Sequence, residues 1–102
     1  MAAPYNPPVK GEDFVIYVGL SDASDPKSFR SSPTIAAGDF KVKKDSGALT
    51  NLTTLPTVED GVCVKIALSA TEMTADNVVL VGIDQTATKE WCDFMMSIPT
   101  TA

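Results

Sequence analysis

The chain has 102 residues, eight Lys and Arg against thirteen Asp and Glu, a formal charge of −5, two cysteines and no histidine. This acidity disfavours a nonspecific grip on nucleic acid or on an anionic membrane face, and the apolar residues fall in short blocks, not in the ~20-residue run that crosses a bilayer. Lack of histidine and of a close Cys-x-x-Cys pair argues against zinc, and it leaves a serine or cysteine nucleophile without its usual base.

Residues 1–9 read as an extended proline-rich arm, with Pro4, Pro7 and Pro8 among the first eight positions. Proline donates no ladder hydrogen bond and favours polyproline-like backbone. Tyr5 gives the arm a rigid aromatic anchor, so Tyr5, Pro7 and Pro8 are candidate assembly contacts. The arm either packs on its own domain or reaches a neighbouring subunit; the plainer alternative is a frayed terminus. No basic and apolar leader pattern opens the chain, so synthesis in a cytoplasm is expected.

Residues 10–102 are expected to form one all-β domain, a β-sandwich. Phe14 to Leu20 alternates as a first strand, and Ser21-Asp22-Ala23-Ser24-Asp25-Pro26 is dense in turn formers. Phe29 to Ile35 reads as an irregular edge segment, where Pro33 is tolerated. In Phe40-Lys41-Val42-Lys43-Lys44 the apolar residues face inward and Lys41 and Lys43 face water, the mark of a sheet with one wet face. Lys41, Lys43 and Lys44, together with Lys65, form either a small basic patch or a solvated strand face.

Asp45-Ser46-Gly47 is a turn with glycine available for positive φ, returning through Ala48 to Leu52 as a hairpin partner. Leu55 to Val58 leads through Glu59-Asp60-Gly61 into the strand Val62 to Leu68, whose Val62, Val64, Ile66 and Leu68 share a face. Ser69-Ala70-Thr71-Glu72 is a capping-box pattern for one short helical turn, with Met73 beneath it. Asn77 to Ile83 is the next strand and Glu90 to Ile98 the closing one. There Met95-Met96 asks for cover on both faces, as in a central strand or an interface. Trp91 is either a core plug or an exposed contact residue, and it joins the candidate assembly contacts. Alternation puts Cys63 away from the core set and Cys92 with Phe94, Met96 and Ile98, so two free thiols are expected. Asp84, Glu90 and Asp93 flank a turn without the spacing of a catalytic pair, and no enzyme activity or cofactor is expected.

The ordered set Pro8-Val9-Lys10-Gly11, Gly38-Asp39-Phe40-Lys41-Val42, Lys44-Asp45-Ser46-Gly47-Ala48, Asn51-Leu52-Thr53-Thr54-Leu55-Pro56, Leu68-Ser69-Ala70-Thr71-Glu72-Met73, Asp76-Asn77-Val78 and Glu90-Trp91-Cys92-Asp93 resembles small structural proteins of tailed bacteriophages and prophages, over nearly the whole chain. More loosely it resembles amino-terminal domains of phage fibre and upper-baseplate proteins. The resemblance implies an immunoglobulin-like antiparallel sandwich of about seven strands, made in a bacterial host cytoplasm and located in the virion. It implies a capsid decoration or cement protein in many copies, with the major capsid protein as partner, or a neck, tail or baseplate adaptor for fibres. A homo-oligomer fits either role, and neither nucleic acid nor membrane is an expected partner. An alternative of another class is a free sugar or cell-surface binding module, for which Tyr5, Tyr17 and Trp91 are the available aromatic platform.

Overall fold

Alternation of apolar with polar side chains decides which face each strand buries, and the computed structural model, which describes residues 7–101, follows it through seven strands. These are β1 (Phe14–Val18), β2 (Phe40–Lys44), β3 (Thr50–Asn51), β4 (Thr57–Glu59), β5 (Cys63–Leu68), β6 (Asn77–Gly82) and β7 (Phe94–Pro99). Along β5 and β6 every second residue is buried, so Val64, Ile66, Leu68, Val78 and Leu80 face one shared interior. Burying each such side chain contributes about 1.5–3 kcal/mol before chain entropy opposes it.

The strands form two antiparallel sheets, ordered β1-β5-β4 and β3-β2-β6-β7. This is the B-E-D sheet facing the C′-C-F-G sheet of an immunoglobulin-like sandwich. Just ahead of β1, Val9 bridges Thr101 in parallel, with Thr101 N–H donating to the Pro8 carbonyl at 2.8 Å and Lys10 N–H to that of Thr101 at 2.9 Å. Residues 8–10 are therefore tied to the chain beyond β7.

Phe40 stands opposite Gly82 in register. A Cβ at Gly82 would come within 2.8 Å of the Phe40 ring, so the missing side chain is what makes room for it. The ring stacks on Trp91 with centroids 5.4 Å apart and leans on Phe94 at 6.2 Å. These aromatics close the core at one end of the sandwich.

At the other end the capping box forms. Ser69 N–H donates to Glu72 Oε1 at 2.8 Å, Glu72 N–H donates to Ser69 Oγ at 3.2 Å, and Met73 N–H closes one helical turn onto the Ser69 carbonyl at 3.0 Å. Glu72 Oε2 also accepts Thr53 N–H at 2.8 Å, which ties the turn to the β3–β4 connection and explains why a carboxylate is buried there. Met73 lies wholly buried beneath.

Several local expectations change. The closing strand starts at Phe94, not Glu90, because Trp91 and Phe94 both turn inward and three-residue spacing breaks a period of two. β7 is an edge strand, which removes the central-strand reading of Met95-Met96; Met95 is 75% exposed. Residues 29–35 are irregular, as expected, with the single bridge of Phe29 to Ser21. In the β2–β3 turn the positive φ falls on Asp45 (51°), and not on Gly47. Aspartate tolerates that region, and its carboxylate accepts the N–H groups of Asp76 (3.4 Å) and Asn77 (3.0 Å).

Candidate docking surfaces

Two long irregular segments, 19–39 and 83–93, meet at the end of the sandwich where β1 and β6 stop and β2 and β7 begin. Loops of this length need polar pins in place of a ladder, and carboxylates supply them. Asp84 is buried; its Oδ1 accepts the Thr86 N–H (3.0 Å) and hydroxyl (2.8 Å), and its Oδ2 accepts Glu90 N–H (2.7 Å). Burial pushes its pKa up, but the donors from Glu90, Thr86 and Trp91 outweigh that and hold the carboxyl below its ordinary range. Asp39, also buried, joins the two segments by accepting Ala36 N–H at 2.9 Å and Gln85 N–H at 3.2 Å.

Glu90 Oε1 accepts Thr34 N–H at 3.0 Å, and the Trp91 indole N–H donates to the Thr34 carbonyl at 3.2 Å. Arg30 sits between Asp22 (3.6 Å) and Glu90 (3.9 Å). Asp22 is held below the usual carboxylate range by the Ser24 hydroxyl and N–H, with a smaller part from Arg30. Ser32 N–H reaches the Gly61 carbonyl, so the β4–β5 turn is fastened to the same loop. Asp93, third of the acidic residues flanking the last turn, is exposed and paired with Lys89 at 2.6 Å. The arrangement is suited to fixing loops in place, each carboxylate being occupied by donors of the fold. Asp84-x-Thr86 and Asp22-x-Ser24 share one Asx-turn spacing, the sequence signal by which these pins are recognisable.

The assembly candidates scatter. Trp91 is 0% exposed, so it is a core residue and unavailable either as a contact or as a sugar platform; its size and its stacking on Phe40 account for this. Tyr5 lies outside the described residues. Pro7 is exposed and Pro8 half-buried beside Thr101. Lys41 and Lys43 share the outer face of the four-stranded sheet, whereas Lys44 has the opposite parity and donates to the Thr71 carbonyl at 3.3 Å. Lys65 belongs to β5, in the other sheet, facing away from its buried neighbours Val64 and Ile66. The four lysines therefore make no single patch.

The outer face of the three-stranded sheet carries Tyr17, whose hydroxyl donates to Glu59 Oε1 at 3.2 Å; that hydrogen bond and the neighbouring charge raise its pKa. Next to it, exposed Phe29 covers Gly19 and, with Tyr17, Val62 and Cys63, lines a shallow apolar cleft. Cys63 and Cys92 are both free.

The outer face of the four-stranded sheet differs. Register puts Asn51, Lys41, Val81 and Met95 in one row across it and Lys43, Val79 and Ser97 in the next. Beside Lys41 a hollow of about 110 Å³ is lined by Leu49, Val81 and Ile83 together with Gln85, Gly38 and the buried Asp39. No local pattern groups the hollow's residues, because they come from segments far apart in sequence.

Among the described residues no group of three or more His, Cys, Asp and Glu is placed to hold a metal ion, and no helix is long and apolar enough to cross a membrane. Comparison with protein-family models, with curated proteins and with solved structures finds no match.

Proposed function

We propose that this chain is a structural protein of a tailed-bacteriophage virion, an immunoglobulin-like module that docks on the outside of the particle in many copies. The reading rests on the sequence expectation that an ordered set of segments resembles small phage structural proteins. Several of them hold turns and core of this sandwich: Gly38-Asp39-Phe40 brings the Asp39 pin and the Phe40 ring, Ser69 to Met73 the capping box, and Glu90-Trp91 the closing aromatic. Pinned loops and an exposed, partly apolar sheet face suit a module that binds by a preformed surface. Binding to an assembled shell stabilises it by mass action, and repetition over a lattice lets weak individual contacts suffice.

Cryo-electron microscopy of particles purified from the source, with this chain located in the map, tests the reading. Density repeated over the icosahedral shell is the expected result. Density confined to the neck or tail replaces decoration with the adaptor role, and particles free of the chain overturn the virion assignment. The sugar-binding alternative has lost Trp91 to the core, which leaves Tyr17, already bonded to Glu59, as the described aromatic of its platform.

A further inference from the structure

From the outer face of the four-stranded sheet we infer that it docks an acidic protein segment, placing a carboxylate on Lys41 and Lys43 and an adjacent aliphatic side chain in the hollow walled by Leu49, Val81 and Ile83. The inference deepens the docking role proposed above by stating the chemistry of the partner. Charge is the argument. Of thirteen Asp and Glu in the chain, none lies in β2, β3, β6 or β7. The acidic residues bordering those strands are already occupied: Asp39, which lines the hollow, has its carboxylate buried on the Ala36 and Gln85 N–H groups, Asp84 is buried on backbone donors, Asp45 accepts from Asp76 and Asn77, Asp76 pairs with Lys10 at 3.0 Å and Asp93 with Lys89 at 2.6 Å.

In an acidic protein this face is thus cationic and apolar. Lys41 and Lys43 have no ion-pair partner among the described residues. Both are half-buried, standing opposite Val81 and Val79 in register. Such stems lie on apolar surface while the ammonium stays available. Exposed Met95, Leu49 and Ile83 extend the apolar ground around them, and methionine adapts its shape to a partner. A carboxylate next to an aliphatic side chain complements both features at once, and complementary charge fixes register and speeds encounter.

Nuclear magnetic resonance of the free ¹⁵N-labelled chain tests this without any virion, so the result stands apart from the particle's. The probe is a short synthetic peptide alternating Glu with Leu, and its Lys-for-Glu counterpart is the control. The expected result is saturable shifts at Lys41, Lys43, Val79, Val81, Ile83 and Met95 with the acidic peptide only. Added salt should weaken them, and a Lys41→Glu/Lys43→Glu variant should bind about tenfold more weakly. A Lys41→Gln/Lys43→Gln variant, which adds no repulsion, should show a smaller loss with unchanged spectral dispersion. Absence of shifts overturns the inference, as do shifts centred on Tyr17 and Lys65. It is also overturned if phosphatidylserine vesicles shift these amides and the peptide does not, or if the same amides shift with protein concentration alone, which would make a second copy the occupant.

Discussion

The loop end and the outer face of the four-stranded sheet use their polar groups in opposite ways. At the loop end, segments without strand pairing are held by Asp39, Asp84 and Glu90, each accepting backbone N–H groups from the other segment or its own. On the outer face the backbone is paired strand to strand, and Lys41 and Lys43 form no ion pair within the described chain. Where regular structure is missing, side chains are consumed in making order. Where the ladder already supplies order, side chains remain for a partner. Irregular loops are thus the fixed part of this molecule, and the regular sheet face is its chemically open part.

Substitutions put that contrast to the test. The largest loss is expected from Trp91→Ala, which empties the junction of loop end and core and should cost about 3–5 kcal/mol, read from urea unfolding by circular dichroism. An effect under about 1 kcal/mol, the scale of an ordinary surface change, would mean that Trp91 does not anchor the loops. Gly82→Ala drives a Cβ into the Phe40 ring, which Trp91 and Phe94 hold in place; a loss of about 1–3 kcal/mol is expected in the same assay.

Asp84→Asn keeps the shape and takes away a charged acceptor of three donated bonds, at about 1–3 kcal/mol at neutral pH. Its pKa is lowered in the folded state, so its stabilisation is complete above the unfolded carboxylate value of about 3.9 and disappears as pH falls through the lower, folded value. The variant's stability should therefore decline less steeply below about pH 4 than that of the parent. Equal slopes would mean that Asp84 is not ionised on its donors. Smallest of all should be Lys41→Glu/Lys43→Glu, within about 0.5 kcal/mol of the parent by thermal melting, even though it is expected to abolish most peptide binding. A large destabilisation would show that these lysines serve the fold and not a partner.

Much of the frame was legible because it rests on local rules. Phe40 to Lys44 shows its alternation within five residues and becomes β2 with those bounds. Ser69 and Glu72 carry both halves of the capping box at a spacing of three, and the reciprocal bonds form. Local pattern leaves Trp91 open between core and surface because its placement depends on Phe40, 51 positions earlier, and on Thr34. The start of β7 escapes local pattern for a related reason, since Trp91 bridges Asp22 and stands outside the strand period. The lysines show the limit most plainly: alternation says that Lys41, Lys43 and Lys65 all point away from a core, but not that β5 lies in the other sheet.

Local rules thus suffice for the all-β class, the inward face of each long strand and the capped turn, because side-chain period and capping act over a few residues. Only the tertiary structure decided which strands share a sheet, that Trp91 closes the core, and that Lys41, Lys43, Leu49, Val81, Ile83 and Met95 border one surface. Those outcomes depend on strand pairings across long stretches of chain, where register and sheet order, not local preference, bring side chains together.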